Sequence, residues 1–281
     1  MSGKETQGPS RRAVLSAALA ASLLPWGTAE AAPVRKKGVA TWHMPGIRAA
    51  LEDVRAGWFH NWDSTRGDID PPPGVEFVPT IWGQDHVTPE RLRQAAAQGT
   101  HLLGFNEPDL PTQARMTVER ALDLWPRLAS TGNRMGAPAV ASGADREGGW
   151  LDRFLAGART RNLRVDFIPL HWYGADFGPA AVGHLRGYLN AVHAKHRKPL
   201  WVTEFSLIDF SGPTPRYPTQ RQLATFAGAA AEMMHGLPFV ERYAWFALPA
   251  DRGGTGLYRG ATPNEVGRAY RAAPGNRGGD I

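Results

Sequence analysis

The sequence predicts an α/β fold, a (β/α)8 TIM barrel, on three observations. Short apolar runs recur eight times after the first 31 residues, and several are apolar nearly throughout, as parallel strands buried on both faces are. Helix-like segments alternate with them, a pattern that favours a closed barrel over an open sheet. The chain has 281 residues, 42% of them hydrophobic, enough for one large core without metal or disulfide staples.

The chain opens on an address. Ser10-Arg11-Arg12-Ala13-Val14-Leu15 begins an apolar run that ends at Leu24, and Ala29-Glu30-Ala31 supplies small residues for cleavage. A charged start, a short apolar stretch and an A-x-A site make a signal peptide over 1–31, too short to span about 30 Å of hydrocarbon. The paired arginines resemble a twin-arginine signal, with Val14 and Ser16 departing from its favoured residues. The expectation is a protein of the periplasm or the exterior. A single domain is then expected over 32–281, ending in a flexible tail around Gly275–Gly279.

The strands are expected at Gly38–Trp42, Gly57–Trp62, Glu76–Trp82, His101–Glu107, Arg134–Ala141, Val165–Trp172, Pro199–Glu204 and Arg242–Ala247. Between the third and fourth, Thr88-Pro89-Glu90 starts a helix: threonine caps, proline suits the first helical position, and an acid favours the first turn. Thr117–Ser130 and Thr219–His235 carry apolar residues at helical spacing. The segment after the first strand, Trp42-His43-Met44-Pro45-Gly46, is no glycine-rich phosphate loop, which argues against an open nucleotide-binding sheet.

Composition excludes several functions. Without cysteine there are no disulfides, no thiolate catalysis and no Cys-based zinc sites. The formal charge of +6 is scattered, and no basic-aromatic motif of a nucleic-acid reader accompanies it. His43, His86, His101, His171 and His184 lack the i, i+4 pairing of an H-E-x-x-H site. Asp145 with Glu147 and Asp68 with Asp70 read as solvated loop acids, and no G-x-S-x-G elbow is present. The expectation is a monomer without metal or cofactor and without membrane or nucleic-acid partners.

Barrel chemistry collects at the C-terminal ends of the strands. Those ends offer Trp42, Trp62, Trp82, Asn106, Glu107, His171, Trp172, Tyr173, Glu204 and Trp245. Tryptophan presents a flat apolar face with an N–H at its edge, which suits the C–H faces of sugar rings. Glu107 closes the fourth strand and Glu204 the seventh. By strict alternation Leu103, Phe105 and Glu107 share one face, as do Leu200, Val202 and Glu204. If that face is the barrel interior, both carboxylates emerge at its mouth.

Asn106-Glu107-Pro108 and Thr203-Glu204-Phe205 resemble the hallmark of a large clan of retaining glycosidases on (β/α)8 barrels. Gly104–Leu110 (GFNEPDL), His171–Gly174 (HWYG), Trp201–Ser206 (WVTEFS), Glu241–Phe246 (ERYAWF) and Gly267–Tyr270 are similar to glycoside hydrolase family 128, the endo-β-1,3-glucanases. The resemblance implies a β-glucan substrate, Glu107 as acid/base and Glu204 as nucleophile. It also implies that Asn106 bonds the sugar 2-OH and that His171 or Tyr173 donates to Glu204 or to sugar. Trp245 would then be the floor under the scissile-bond sugar, with Trp172, Trp62, Trp82 and Trp42 as further contacts. The alternatives are a same-clan hydrolase of mannan or xylan, and a carbohydrate-binding barrel without catalysis.

Overall fold

The computed structural model describes Met1 and residues 35–274. The chain divides after Ala32, and the fold below is that of the second unit. The expected leader and the Gly275–Gly279 tail lie outside the described residues.

Eight parallel strands follow in chain order: β1 (Lys37–Ala40), β2 (Trp58–His60), β3 (Glu76–Phe77), β4 (His101–Leu102), β5 (Arg134–Met135), β6 (Ile168–Gly174), β7 (Leu200–Leu207) and β8 (Val240–Phe246). Six of them form one sheet in the order β3-β2-β1-β8-β7-β6, and β4 pairs with β5. Single bridges, Thr80 with Leu103 and Gly136 with Phe167, join the two groups into a ring. The fourth and fifth strands are shorter than their apolar runs suggest. Pro79 and Pro138 interrupt this side of the ring, and proline removes a ladder donor. A small hairpin, β9 (Tyr258–Arg259) with β10 (Thr262–Pro263), lies outside the ring order.

Among the described residues seven α-helices alternate with the strands: α1 (Ile47–Asp53), α2 (Pro89–Gln98), α3 (Val118–Ala129), α4 (Trp150–Thr160), α5 (Ala181–His196), α6 (Gln220–His235) and α7 (Glu265–Ala272). The Thr88 side chain accepts from Arg91 N, with Pro89 beginning α2. Thr219 and Gln222 form a reciprocal capping box on α6. No helix links β2 to β3. That connection carries Pro71-Pro72-Pro73-Gly74, which a helix interior does not tolerate.

Two apolar layers position the site. The larger lies between strands and helices and holds Phe105, Val202, Phe205 and Trp245. The smaller, Trp58, Val78, Leu103, Phe167, Trp201 and Ala244, fills the barrel. Phe167 stacks on Trp201 at 4.2 Å and Trp58 lies 5.4 Å from Trp201. Glycine makes room for these rings: a Cβ on Gly38 would lie 2.5 Å from Trp58 Nε1, and one on Gly136 2.7 Å from the Phe167 ring. At the N-terminal end of the strands Arg242 covers Trp201 at 4.2 Å and pairs with Glu76 at 2.6 Å, while Arg134 pairs with Glu241 at 2.7 Å.

Simple alternation does not carry either glutamate to the mouth. Leu103 lies inside the barrel, yet Phe105 lies in the outer layer against Trp125. Leu200 and Val202 are also in the outer layer, and Trp201 is inside. The pairing of β6 with β7 steps from Leu170–Val202 to His171–Glu204, so Thr203 is the extra residue of a bulge. A bulge re-aims the following side chain, and here it turns Glu204 into the cleft.

Candidate active site

A cleft of about 1000 Å³ opens where the C-terminal ends of the strands converge, lined by Trp62, Trp82, Asn106, Glu107, His171, Trp172, Tyr173 and Glu204. Phe210, Phe246, Gln113, Tyr188 and the Ala141–Arg146 segment complete its walls. Glu107 and Glu204 are nearly buried, at 9% and 5% exposure. Their nearer carboxylate oxygens and one His171 nitrogen all lie within 4.8 Å of one another.

Two donors hold Glu204 and an imidazole stands close by. Trp62 Nε1–H donates to its Oε1 at 2.7 Å and the Tyr173 hydroxyl to its Oε2 at 2.5 Å. His171 Nε2 stands 3.4 Å from Oε1. The other face of the same imidazole reaches Glu107, with Nδ1 2.8 Å from Oε1. One buried ring therefore ties the two carboxylates together. Burial opposes charge on His171, but the neighbouring carboxylates, Glu204 foremost, outweigh it and raise its pKa. Burial and the charge of Glu204 push the Tyr173 hydroxyl well above its ordinary range, so it stays a donor.

The backbone is strained where these groups are aimed. Trp62 has φ 62° and Glu107 φ 43°, left-handed values that cost a residue with a side chain about 1–3 kcal/mol and cluster at functional sites. Glu107 is fixed there by its N–H to Ala139 O at 2.7 Å and its carbonyl to Leu110 N at 3.0 Å. Asn106 is buried, with Nδ2 3.3 Å from Gln113 Oε1. Asp109 accepts from Ala141 N, and burial raises its pKa.

The sequence-derived aromatic contacts divide. Trp62, Trp82, Trp172 and Tyr173 line the cleft. Trp42 lies outside its lining, stacked on Trp62 at 6.4 Å with its N–H 3.2 Å from Asp251. Trp245 is not a sugar floor. It is fully buried in the outer layer, against Phe205 and Tyr270, and donates its N–H to Thr255 O at 2.7 Å. Its neighbour Phe246 faces the cleft instead, because successive strand residues point to opposite faces. Sequence reasoning missed Phe246 and Phe210. For Phe246 the signal was available in the alternation, since inward Ala244 fixes the parity of β8.

Among the described residues, Glu107, His171 and Glu204 form the one group whose ligand atoms are close enough to share a metal ion. His171 already bonds Glu107, and the Glu204 oxygens already accept from Trp62 and Tyr173. Two carboxylates this close in a cleft walled by aromatic rings suit glycosidic-bond chemistry, in which one group delivers a proton and the other faces the anomeric carbon.

Residues 41–270 match the family described as glycosyl hydrolase catalytic core. The chain belongs to this family and within it to glycoside hydrolase family 128. A family 128 (subgroup I) endo-β-1,3-glucanase from Amycolatopsis mediterranei, crystallised with laminaritriose, is 56% identical; the match covers 85% of this chain and 100% of that one, with a TM-score of 0.85. Two glutamates of that protein, each replaced by alanine in a separate crystal with laminari-oligosaccharides, are as far apart in sequence as Glu107 and Glu204 are here. A subgroup II endo-β-1,3-glucanase from Sorangium cellulosum is 27% identical over 86% of this chain and 100% of that one, with a TM-score of 0.72. Alkali-sensitive linkage protein 1 of Schizosaccharomyces pombe is 30% identical over 79% of this chain, and the match spans only 40% of that longer protein.

Proposed function

We propose that this chain is an exported glycoside hydrolase that cuts β-1,3-glucan internally with retained anomeric configuration. The carrying observation is that one carboxylate oxygen of Glu107 lies within 4.8 Å of one from Glu204, a close pair. Retaining enzymes hold their carboxyl groups about 5–5.5 Å apart, whereas inverting enzymes leave about 6.5–9.5 Å for a water. β-1,3-Glucan as substrate is supported by the Amycolatopsis mediterranei and Sorangium cellulosum proteins, both described as endo-β-1,3-glucanases.

The roles follow from the hydrogen bonds. Glu204 is surrounded by donors, which orient both oxygens of an anion, so it is the nucleophile. Glu107 meets His171 through Oε1 only, and among the described residues no side chain engages its Oε2. That oxygen carries the proton to the leaving glycosidic oxygen as Glu204 attacks the anomeric carbon. Glu107, now ionised, then takes a proton from water, which cleaves the glycosyl ester and restores both groups. Asn106 bonds the sugar 2-OH, and Trp62, Trp82 and Trp172 offer ring faces to neighbouring glucosyl units.

A reducing-sugar assay over laminarin, mannan and xylan tests the substrate. Release from laminarin supports the reading, and release from mannan or xylan alone sinks it. Proton NMR of the first product decides stereochemistry: a β-anomer is expected, and an initial α-anomer refutes retention. Export rests on Arg11-Arg12 and the apolar run behind them. Replacing both arginines by lysine should block twin-arginine export, and undiminished export overturns that route.

A further inference from the structure

We infer that His60 is a positioning residue that aims Glu204 from inside the barrel, by clamping the bulge of β7 and buttressing Trp62. The inference rests on the assignment of Glu204 as nucleophile. His60 ends β2, is 1% exposed and is absent from the lining of the main cleft. It borders instead a cavity of about 10 Å³ beneath it, together with Thr80, Asn106, His171 and Thr203. That space holds about one water, so His60 never touches sugar and any influence on the reaction passes through another residue.

Two contacts supply that influence. His60 Nε2 lies 2.9 Å from Thr203 O. A carbonyl only accepts, so Nε2 carries the hydrogen and Nδ1 is left as a lone pair. Nδ1 is buried with no partner among the described residues. Burial keeps the ring neutral, lowering its pKa to about 4. Thr203 is the residue that the bulge leaves unopposed on β6. The donor that pins its carbonyl therefore comes from across the barrel, next to the residue whose aim the bulge sets. The second contact is through the ring. His60 stacks on Trp58 at 5.9 Å and meets Trp62 edge-on at 5.1 Å, and Trp62 donates to Glu204 Oε1. Both routes end on the same carboxylate, one through its backbone and one through its donor.

The test compares His60→Asn, whose amide is too short to reach Thr203 O, with His60→Gln, whose amide nitrogen sits near the Nε2 position. Laminarin kinetics and crystal structures of both variants are measured beside the wild type. His60→Asn should lose roughly 10–100-fold in kcat with KM little changed, since displacement of a reacting group by about 1 Å costs up to about 100-fold. His60→Gln should recover most of that loss. In the asparagine structure the Tyr173 and Trp62 bonds to Glu204 should lengthen; in the glutamine structure they should persist. Wild-type kcat in His60→Asn, an unchanged Glu204 in its structure, or equal loss in both variants overturns the inference. If His60→Asn does not fold, His60→Met, similar in volume and without a donor, takes its place against His60→Gln. An inactive wild type would instead count against the proposed function, while the two structures still report whether His60 aims Glu204.

Discussion

Removing Glu204 leaves a hole that the structure has already equipped for an anion. In Glu204→Ala the Trp62 N–H and the Tyr173 O–H, now 2.7 and 2.5 Å from carboxylate oxygens, lose their acceptor, and His171 Nε2 stands nearby. A hydrogen bond to a charged group contributes about 1.5–3 kcal/mol, so two such donors favour a small anion by about 3–6 kcal/mol before the cost of immobilising it. Azide or formate should therefore raise the Tm of Glu204→Ala and leave the wild type unmoved, since a ligand of the native state alone stabilises it. On glucan the variant should be essentially inactive. With an aryl β-glucoside bearing a good leaving group, bound azide attacks from the side of the missing nucleophile and yields the α-glycosyl azide. Glu107→Ala differs. It should lose about 10²–10⁴-fold on glucan, the usual contribution of a general acid, and far less on the activated substrate. Azide then displaces Glu204 from the glycosyl ester and gives the β-azide. Proton NMR of the two azides is the assay. The same anomer from both variants, or substantial glucan hydrolysis by Glu204→Ala, would refute the division of roles.

Trp62→Phe keeps a ring and loses the N–H to Glu204. A loss of about 1.5–3 kcal/mol corresponds to roughly 10–150-fold in kcat/KM on laminarin, and an unchanged value would show that only the ring matters. Trp245→Ala should instead lower stability by about 3–5 kcal/mol in denaturant unfolding, because the ring is fully buried. A selective rise in KM without destabilisation would return Trp245 to the cleft. Burial alone would raise the pKa of Glu76, but its bonds to His101 and Arg242 outweigh this and lower it from 4.5 to about 2. The side chain is 31% exposed, and the shift contributes about 2–3 kcal/mol after solvent screening. That stability is present above pH 4.5 and is lost as pH falls toward 2. The destabilisation of Glu76→Gln relative to wild type should therefore shrink between pH 7 and pH 3, and a pH-independent difference would contradict the shift. Activity on laminarin should survive a chelator; loss restored by a divalent ion would assign the Glu107–His171–Glu204 group to a metal.

The eight strands were legible because short apolar runs mark them, several buried throughout, although β3, β4 and β5 are only two residues long and each begins on a half-buried polar residue. Glu107 and Glu204 were legible from position alone, at the ends of the fourth and seventh runs. What stayed hidden depends on local departures from the regular pattern. Strict alternation puts Leu200, Val202 and Glu204 on one face, yet Val202 packs outward and Glu204 points into the cleft. The difference is the one extra residue at Thr203, which leaves no mark in composition. Trp245 read as a sugar platform because it ends a strand in aromatic company. Its parity, set by Ala244 inside the barrel, puts Phe246 in the cleft instead. The missing helix between β2 and β3 had a plain signal in three consecutive prolines.

These departures coincide with the chemistry. The bulge at Thr203, the left-handed backbone of Trp62 and Glu107, and the broken alternation between Leu103 and Phe105 all lie within the segments that deliver the two carboxylates. Without the bulge, alternation would send Glu204 into the outer apolar layer with Leu200 and Val202. A carboxylate in that layer would be buried without donors, at a cost of several kcal/mol. The bulge lifts Glu204 out of it to where Trp62 and Tyr173 donate to it. One alanine inserted between Thr203 and Glu204 should therefore take the inward place, send Glu204 outward and abolish glucan hydrolysis. The barrel, whose core rings are untouched, should still fold by circular dichroism. An active insertion variant would show that the bulge does not set the aim of Glu204.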